Sequence, residues 1–297
     1  MALIEITDIS KVYGFGGATT VALDEVSLSI EQNEFVAIMG PSGSGKSTLM
    51  NVIGLLDRPT FGTYKISGRN VEKLSQNQRA KMRRDKIGFI FQSFSLLPRL
   101  TVLENVALPL AYRGLSTNRR LKAASSMIKR LGLADREYYL PRHLSGGQTQ
   151  TAAIARALIN TPSIIIADEP TGNLDSNDSR LIMELLSDIH KDGTTILMVT
   201  HNPELTRYAT RVVYMRDGMV IHDELTAPGL VAPTARKAMS YLPFKTEEDD
   251  LAGVSALMKV IPGGDSPVDT KPERKSKTTK RSKSKAKKSR RQRKVKT

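Results

Sequence analysis

The sequence predicts an α/β domain organised around a parallel β-sheet. Three short apolar runs, rich in β-branched residues and bounded by turn residues, are typical of strands that are buried on both faces. These runs are EFVAIM (34–39), SIIIAD (163–168) and TTILMV (194–199). Helical patterns lie between them, and this alternation of strands and helices indicates an α/β core.

The segments around this core favour two additions to the fold. LIEI (3–6) and ALDEVSLSI (22–30) are strand-like and are predicted to pair as an antiparallel flank. Residues 93–158 carry mostly helical patterns and are predicted to form an inserted helical lobe. The expected fold class is therefore α/β with an antiparallel β flank and an inserted helical lobe.

The helix before the last core strand can be predicted in more detail. Apolar residues recur at helical spacing between Leu181 and Ile189. Ser176 and Asp178 are candidate caps at its start, and Gly193 is predicted to end it.

The net charge of +15 is concentrated near the C-terminal end. Residues 271–297 contain 15 Lys or Arg and one acidic residue, so the other 270 residues carry 30 basic and 29 acidic groups. This tail contains no aromatic residue and almost no aliphatic one, and it is predicted to be disordered. We expect a folded domain over 1–225 and a poorly defined extension over 226–270, in which 249–260 favours one short helix.

Composition narrows the kinds of site and the location that we expect. The chain has no Cys, which excludes disulfides and thiolate metal sites, and its four His are scattered without ligand spacing. Any metal must therefore be bound by oxygen ligands. The N-terminus lacks the features of a secretory signal, and no run approaches the roughly 18 apolar residues of a membrane helix. We expect a protein on the cytoplasmic side that does not span the membrane by itself.

The strongest motif is GPSGSGKS, Gly40 to Ser47, which fits G-x-x-x-x-G-K-[ST] between a predicted strand and a predicted helix. Glycines let backbone N–H groups approach phosphates, and the helix N-terminus favours negative charge. Lys46 is expected to reach the β- and γ-phosphates, while the Ser47 hydroxyl is offered to Mg²⁺. The predicted nucleotide-binding residues are Gly40, Pro41, Ser42, Gly43, Ser44, Gly45, Lys46, Ser47 and Thr48.

Two adjacent carboxylates follow the predicted strand at 163–168. Asp168 is well placed to bind Mg²⁺ directly or through water. Glu169 lies at the carboxyl edge of the sheet and can orient or deprotonate an attacking water. Taken alone, this pair is also compatible with a solvated turn. Combined with the phosphate-binding loop, it indicates a site that hydrolyses a nucleotide.

Five further motifs follow a fixed order along the chain. They are Tyr13 in KVYGFGG, Gln92 in GFIFQSFSLLPRL, SGGQ at 145–148, GNLD at 172–175 and His201 in VTHNPE. In this order, from residue 3 to about residue 224, the chain resembles the ATP-binding subunits of ABC transporters. The resemblance implies a P-loop NTPase core of the ABC ATPase type, with ATP and Mg²⁺ as cofactors and ATP hydrolysis as the reaction.

The same resemblance implies roles for single residues. It implies that Tyr13 stacks on adenine, that Ser47, Gln92 and Asp168 surround Mg²⁺, that Glu169 activates water, and that His201 contacts the γ-phosphate. Glu169, His201 and Gln92 are thus the candidate catalytic residues.

The stretch LSGGQTQTAAIARAL (144–158) looks like a second phosphate-binding loop. A helix predicted to begin near Thr149 would direct the Ser145 hydroxyl and the free N–H groups of residues 146–148 at an anion. In the family this signature loop meets the γ-phosphate held by a partner, so Ser145 and Gly147 are predicted to act in trans within a head-to-tail homodimer. Thr149 and Thr151 replace a Gln and a basic residue that are common in the family.

Longer stretches resemble the MacB/LolD-type branch, which drives macrolide export and lipoprotein release. This implies an integral membrane permease of FtsX/MacB-like type as partner, an output in export or mechanotransmission, and a peripheral location at the cytoplasmic face of the cell membrane. One alternative is a related ATPase that regulates cell-wall enzymes through its permease. A second is a soluble ABC ATPase that acts on nucleic acid or ribosomes; the single cassette and the lack of a long coiled-coil insertion disfavour it.

Two surfaces suggest partners. Phe94, Leu96, Leu97, Pro98 and Leu100 form an apolar cluster that is either a groove for the permease or ordinary core. The tail 271–297 is compatible with anionic lipid, with nucleic acid or with no specific partner, and we favour anionic lipid.

Overall fold

The computed structural model describes residues 2–15, 18–227 and 229–230. The extension from residue 231, including the short helix predicted at 249–260, and the tail 271–297 lie outside these described residues. Among the described residues, none of the helices combines the length and the hydropathy that a membrane span requires.

The described residues contain ten strands and six α-helices. The strands are β1 (Ala2–Phe15), β2 (Ala18–Glu31), β3 (Phe35–Met39), β4 (Phe61–Ile66), β5 (Arg69–Asn70), β6 (Ile87–Ile90), β7 (Ile164–Asp168), β8 (Thr195–Val199), β9 (Arg211–Arg216) and β10 (Met219–Leu225). The helices are α1 (Lys46–Ile53), α2 (Gln76–Lys86), α3 (Val102–Tyr112), α4 (Thr117–Arg130), α5 (Gly146–Leu158) and α6 (Ser176–Lys191). Short 3₁₀ helices span Ala134–Arg136, Pro141–His143 and Pro203–Tyr208.

Six strands form the main sheet in the order β10-β9-β3-β8-β7-β6. The neighbours from β9 to β6 are parallel, and β10 pairs antiparallel with β9. The predicted core strands are therefore confirmed as β3, β7 and β8. Alternate residues of β3 enter different cores: Val36 packs in a cluster with α1 and the antiparallel sheet, whereas Phe35 packs in a cluster with α6. Burial on both faces explains why these runs are continuously apolar.

A second sheet of four strands has the order β2-β1-β4-β5 and is antiparallel. It confirms the predicted flank, although β1 and β2 extend well beyond the segments 3–6 and 22–30. Register shifts along β1 allow the pairing to continue through residues whose alternation is broken. The apolar side of this sheet, including Ile4 and Ile30, is covered by the same core that contains α1.

Helices α3, α4 and α5 form the predicted helical lobe around a core of their own. Thr101 and Glu104 make a capping box that starts α3. Val106 of α3, Ile128 of α4 and Ala152 of α5 are fully buried in this core. The lobe is therefore an independently packed layer that carries α5 beside the main sheet.

Two predicted helix starts are wrong. Helix α6 is capped by Asp175, whose side chain accepts a hydrogen bond from the Asp178 N–H, so neither Ser176 nor Asp178 is the cap. Helix α5 begins at Gly146 rather than near Thr149, because Ser145 and Gln148 form a capping box that outweighs the low helix propensity of two glycines. Gly193 follows α6 with φ 97°, as predicted for a helix stop.

Candidate functional site

The predicted P-loop connects β3 to α1 and depends on glycine at two positions. Gly45 immediately precedes α1 with φ 93°, and a Cβ there would lie 2.5 Å from the Ala22 carbonyl oxygen. Gly40 has φ 151°, and a Cβ there would collide with the Met215 carbonyl oxygen. Both residues need positive φ and close backbone approach, which only glycine provides at low cost. No acidic residue occupies the first turn of α1, which leaves its N-terminus electropositive.

Lys46 lies over this loop and faces the two predicted carboxylates. Its Nζ donates to Gly40 O at 2.8 Å and to Pro41 O at 2.7 Å. Burial lowers the pKa of Lys46, while the charges of Glu169 and Asp168 act in the opposite direction. Burial raises the pKa of Asp168, Glu169 adds to the rise, and Lys46 opposes it. The fold thus brings the P-loop and the end of β7 within electrostatic reach of each other.

Glu169 is held at the edge of the sheet by residues that follow β8. Its Oε1 accepts a hydrogen bond from the His201 N–H at 2.9 Å and lies 2.6 Å from His201 Nδ1. Its Oε2 accepts from Thr200 Oγ1 at 3.2 Å. A carboxylate only accepts, so Nδ1 carries the hydrogen in this contact. Glu169 also has φ 45°, a left-handed conformation that is costly for a non-glycine residue and is common at functional sites.

Thr200 was not identified from the sequence, although it immediately precedes His201. It is fully buried and its hydroxyl also accepts a hydrogen bond from the Asn202 N–H at 3.1 Å. A buried, hydrogen-bonded side chain therefore helps to orient the Glu169 carboxylate. The signal in the sequence is a hydroxyl residue between the end of an apolar strand and a predicted functional histidine.

Gln92 follows β6 and contacts the loop that leaves the two carboxylates. The Asn173 Nδ2 donates to Gln92 O at 2.9 Å. A Cβ on Gly172 would lie 2.7 Å from Gln92 Nε2, so the two loops pack closely. The motifs around Gln92 and at 172–175 thus form one layer next to Glu169.

Tyr13 lies near the end of β1 and is connected to the residues after α1. Its hydroxyl donates to Asp57 Oδ2 at 2.9 Å, and Lys11 Nζ lies 4.8 Å from its ring centroid. Tyr13 is partly exposed, and the Thr48 side chain in the first turn of α1 is close enough to act on the pKa of its hydroxyl, which it lowers. The structure therefore brings Tyr13 beside the P-loop helix. The contribution of Lys11 and Asp57 was not anticipated from the sequence.

In the signature loop, residues 145–148, fewer backbone N–H groups lack a hydrogen-bond partner than the sequence predicts. Ser145 Oγ accepts from the Gln148 N–H at 3.2 Å, and the Gly147 N–H donates to Asp178 Oδ2 at 2.8 Å. The expectation that the N–H groups of residues 146–148 are all free is thus wrong, because two of them already have partners. A Cβ on Gly147 would lie 2.5 Å from Asp178 Cγ, so glycine is required for this carboxylate to approach.

Helix α5 is also tied to the loop after Glu169. The buried Gln150 donates from Nε2 to Pro170 O at 2.6 Å. The hydroxyls of Thr149 and Thr151, the two departures from the family pattern, donate back to Ser145 O and Gly147 O, each at 2.8 Å. Both threonine hydroxyls therefore donate to carbonyl groups at the start of their own helix. The basic residue that is common at position 151 in the family would instead carry a charge.

The apolar cluster predicted at 94–100 lies partly in the core of the helical lobe and partly at the surface. A cavity of about 660 Å³ lies between α2, β6 and α3, and within 94–100 only Ser95 lines it. Leu96 instead packs in the core of the helical lobe, and Leu97 is 45% exposed. Residues from four separate elements, α2, β6, α3 and α5, line this cavity, which a contiguous stretch of sequence cannot reveal.

Comparison with known proteins identifies the family. The sequence profile described as "ABC transporter" matches residues 23–172. The chain belongs to the ABC transporter family.

Relatives of this ABC protein include stand-alone subunits and fusions. It is 48% identical over 222 residues to the uncharacterized ABC transporter ATP-binding protein YvrO of Bacillus subtilis (strain 168). This match covers 75% of this chain and 97% of that protein. It is 44% identical over 258 residues to the macrolide export ATP-binding/permease protein MacB of Hyphomonas neptunium. That match covers 87% of this chain and 39% of MacB. The chain therefore spans about two fifths of the length of that MacB.

A solved structure extends the comparison to the fold. The dimeric post-hydrolysis structure of the ATP-binding cassette MJ0796, bound to ADP and Pi, is 44% identical, with a TM-score of 0.69 over 75% of this chain and 98% of that chain. The predicted ABC ATPase fold and the MacB/LolD-type branch are confirmed. This ABC protein binds ATP, and its reaction is ATP hydrolysis coupled to transport.

Proposed function

We propose that this ABC ATPase works as a head-to-tail homodimer that closes on ATP and drives a MacB-like or FtsX-like permease in export or mechanotransmission. The observation that carries the proposal is that two groups of predicted nucleotide-contacting residues make different sets of interactions within one chain. The charges of Asp168 and Glu169 act on Lys46, whereas Ser145 and Gly147 form their hydrogen bonds within α5 and to α6. Two chains would complete both sites by symmetry. The dimeric structure of the MJ0796 cassette supports dimerisation.

The residues of the first half-site have complementary chemistry. Residues 40–48 would bind the phosphates through backbone N–H groups, and Lys46 would neutralise charge on the β- and γ-phosphates. Glu169 would accept a proton from the attacking water, since its carboxylate is oriented by three hydrogen bonds. His201 would pass from its contact with Glu169 to the γ-phosphate. Tyr13 would stack on the adenine base.

A magnesium ion fits the chemistry of the donors near the P-loop. The Ser47 hydroxyl, the Asp168 carboxylate and the Gln92 side-chain amide are hard oxygen donors, which Mg²⁺ prefers. Among the described residues, no group of three or more His, Cys, Asp or Glu is placed to hold a metal. A site built from few carboxylates and completed by substrate phosphates is typical of Mg²⁺–nucleotide complexes. When bound, the ion neutralises phosphate charge.

The cavity between α2, β6 and α3 is the surface that we assign to the permease. Leu108, Pro109 and Tyr112 supply an apolar wall, and Lys81 and Arg84 add positive charge. This surface would accept an apolar segment that carries an acidic residue. Docking there would hold the ATPase at the cytoplasmic face of the membrane, and the tail 271–297 remains predicted to add contact with anionic lipid.

A regulatory output remains the second candidate. An ATPase that controls cell-wall enzymes through its permease would use the same half-sites and the same cavity. The fused MacB relatives favour export. No feature of the described residues supports the third candidate, a soluble ABC ATPase that acts on nucleic acid.

Substitution of Glu169 tests the proposed chemistry. Glu169→Gln keeps the size of the side chain but removes the base, so steady-state phosphate release should fall by about 100-fold or more. ATP binding should persist, and light scattering should detect an ATP-dependent dimer. Glu184→Gln, an exposed carboxylate of α6 that pairs with Arg180, is the matched control and should behave as wild type. Wild-type turnover by Glu169→Gln would refute the assignment.

A further inference from the structure

We propose that Lys11 and Asp57 are positioning residues that hold the Tyr13 ring as a one-sided platform for the nucleotide base. The proposal rests on the proposed function, in which Tyr13 contacts adenine. It adds two residues to which neither the motifs nor the resemblance assigns a role. It also predicts which face of the ring receives the base.

Asp57 joins the other two side chains through its two oxygens. Its Oδ2 accepts from the Tyr13 hydroxyl at 2.9 Å, and its Oδ1 accepts from Lys11 Nζ at 2.9 Å. Lys11 Nζ donates in addition to Arg58 O at 2.8 Å. Two residues of β1 are thereby fixed to the turn that follows α1. The ring is held at its hydroxyl end and cannot swing about the strand without breaking these bonds.

The anchor is itself rigid. The Asp57 N–H donates to Asn51 O at 3.1 Å, and the Arg58 N–H donates to Asp57 Oδ1 at 2.7 Å. The guanidinium of Arg79 donates to the Asp57 carbonyl oxygen. Asp57 therefore links the ring of Tyr13 to α1, the helix that follows the P-loop. The distance between the base platform and the phosphate loop is fixed by this connection.

Lys11 covers one face of the ring. Its Nζ lies 4.8 Å from the centroid, which is cation–π geometry, and its side chain is only 12% exposed. Tyr13 as a residue is 39% exposed, and because Lys11 lies over one face of the ring, the opposite face is the one that we assign to the base. An ammonium group on the far side attracts the ring's electron density and favours stacking of an electron-rich purine on the open face.

The protonation states fit this arrangement. Burial raises the pKa of Tyr13, and its hydrogen bond to Asp57 raises it further. Burial acts to raise the pKa of Asp57 as well, but hydrogen bonds from Lys11, the Arg58 N–H and Tyr13 outweigh it and lower that pKa. Near neutral pH the phenol is therefore the donor and the carboxylate the acceptor.

Binding measurements with two ligands separate this role from a general structural one. In the Glu169→Gln background, Lys11→Met and Asp57→Asn should raise the Kd for Mg²⁺–ATP about three- to tenfold. Tyr13→Ala should raise it by at least about tenfold, the usual loss for base–aromatic stacking. The Kd for inorganic tripolyphosphate, which has no base, should stay within about twofold in all three. With Glu169 intact, Lys11→Met should raise KM and leave kcat unchanged.

Lys65→Met is the matched control, because Lys65 pairs with Glu5 on the same antiparallel sheet and does not contact Tyr13. It should leave both Kd values unchanged, and Lys11→Arg should restore ATP binding to within about twofold of wild type. Equal weakening of ATP and tripolyphosphate binding would overturn the inference, as would wild-type ATP affinity in Lys11→Met and Asp57→Asn. If Tyr13→Ala also binds ATP normally, the proposed role of Tyr13 fails with it. If only Tyr13→Ala weakens binding, the proposed function stands and this inference does not.

Discussion

Asp178 occupies the place where the proposed dimer requires an anion from the partner chain. Its Oδ2 accepts the Gly147 N–H at 2.8 Å, and the same N–H is predicted to meet the partner's γ-phosphate. A fixed negative charge beside an incoming phosphate opposes closure. The substitution Asp178→Asn removes the charge, and its side-chain oxygen can still accept the hydrogen bond.

The magnitude follows from Coulomb's law with solvent screening. Like charges about 5 Å apart at a partly exposed interface repel by roughly 1 kcal/mol when the effective dielectric constant is near that of water. The symmetric dimer has two such sites, so the change should be about 2 kcal/mol, or roughly a thirtyfold lower dissociation constant. The isolated chain should lose about 0.5–1 kcal/mol of unfolding free energy, because the tether between α5 and α6 loses its charge assistance. Tighter dimerisation together with lower monomer stability is a combination that general damage does not produce.

Sedimentation equilibrium in the Glu169→Gln background with Mg²⁺–ATP measures the dissociation constant directly. Asp188→Asn is the matched control, since Asp188 lies on the same helix but is exposed and pairs with Lys191. This control should not change the dimer. An unchanged or weaker dimer in Asp178→Asn would refute the reasoning and would indicate that Asp178 orders the signature loop for closure.

Two further predictions follow from the site and the cavity. Because the pKa of Asp168 is raised in the folded chain, this carboxyl contributes stability that is present below its ordinary pKa and lost as pH rises through the raised value. Asp168→Asn should therefore raise the unfolding free energy of the nucleotide-free chain at pH 7, by less than about 1 kcal/mol because solvent screens the partly exposed carboxyl, while Mg²⁺-dependent ATPase is lost; a lower melting temperature in thermal denaturation would contradict this. Tyr112→Asp, in the wall of the cavity, should reduce co-purification with a co-expressed MacB-type permease by about tenfold or more and leave basal ATPase intact. Tyr138→Asp, equally exposed in the same lobe, should not, and equal loss in both would remove the cavity as the docking surface.

Local signals in the sequence were sufficient for the core of the fold. The runs that became β3, β7 and β8 are apolar because both faces are buried, and the P-loop is recognisable because its glycines are required by backbone geometry. The start of α5 was misplaced because glycines at 146 and 147 argue against a helix. The capping box of Ser145 and Gln148 decided the outcome.

Contacts between distant parts of the chain could not be predicted in this way. Tyr13 and Asp57 are 44 residues apart, and Gly147 and Asp178 are 31 apart. Each of these hydrogen bonds depends on how the elements pack in three dimensions. No sequence pattern around Asp57 or Asp178 predicts which residue it contacts. The sequence around Asp178 predicts only a helix cap. The packing of α5 on α6 is needed to show that its carboxylate accepts a hydrogen bond from the Gly147 N–H.

Mixing two defective chains tests most directly the central claim that each active site is shared between two copies. Lys46→Ala removes the P-loop lysine, and Ser145→Glu places a carboxylate on an exposed residue of the signature loop, so each chain alone should be inactive. In an equimolar mixture half of the dimers are mixed, and each contains one intact composite site, so ATPase activity should recover to about a quarter of the wild-type value. Continued inactivity of the mixture, or full activity of Ser145→Glu alone, would contradict the account.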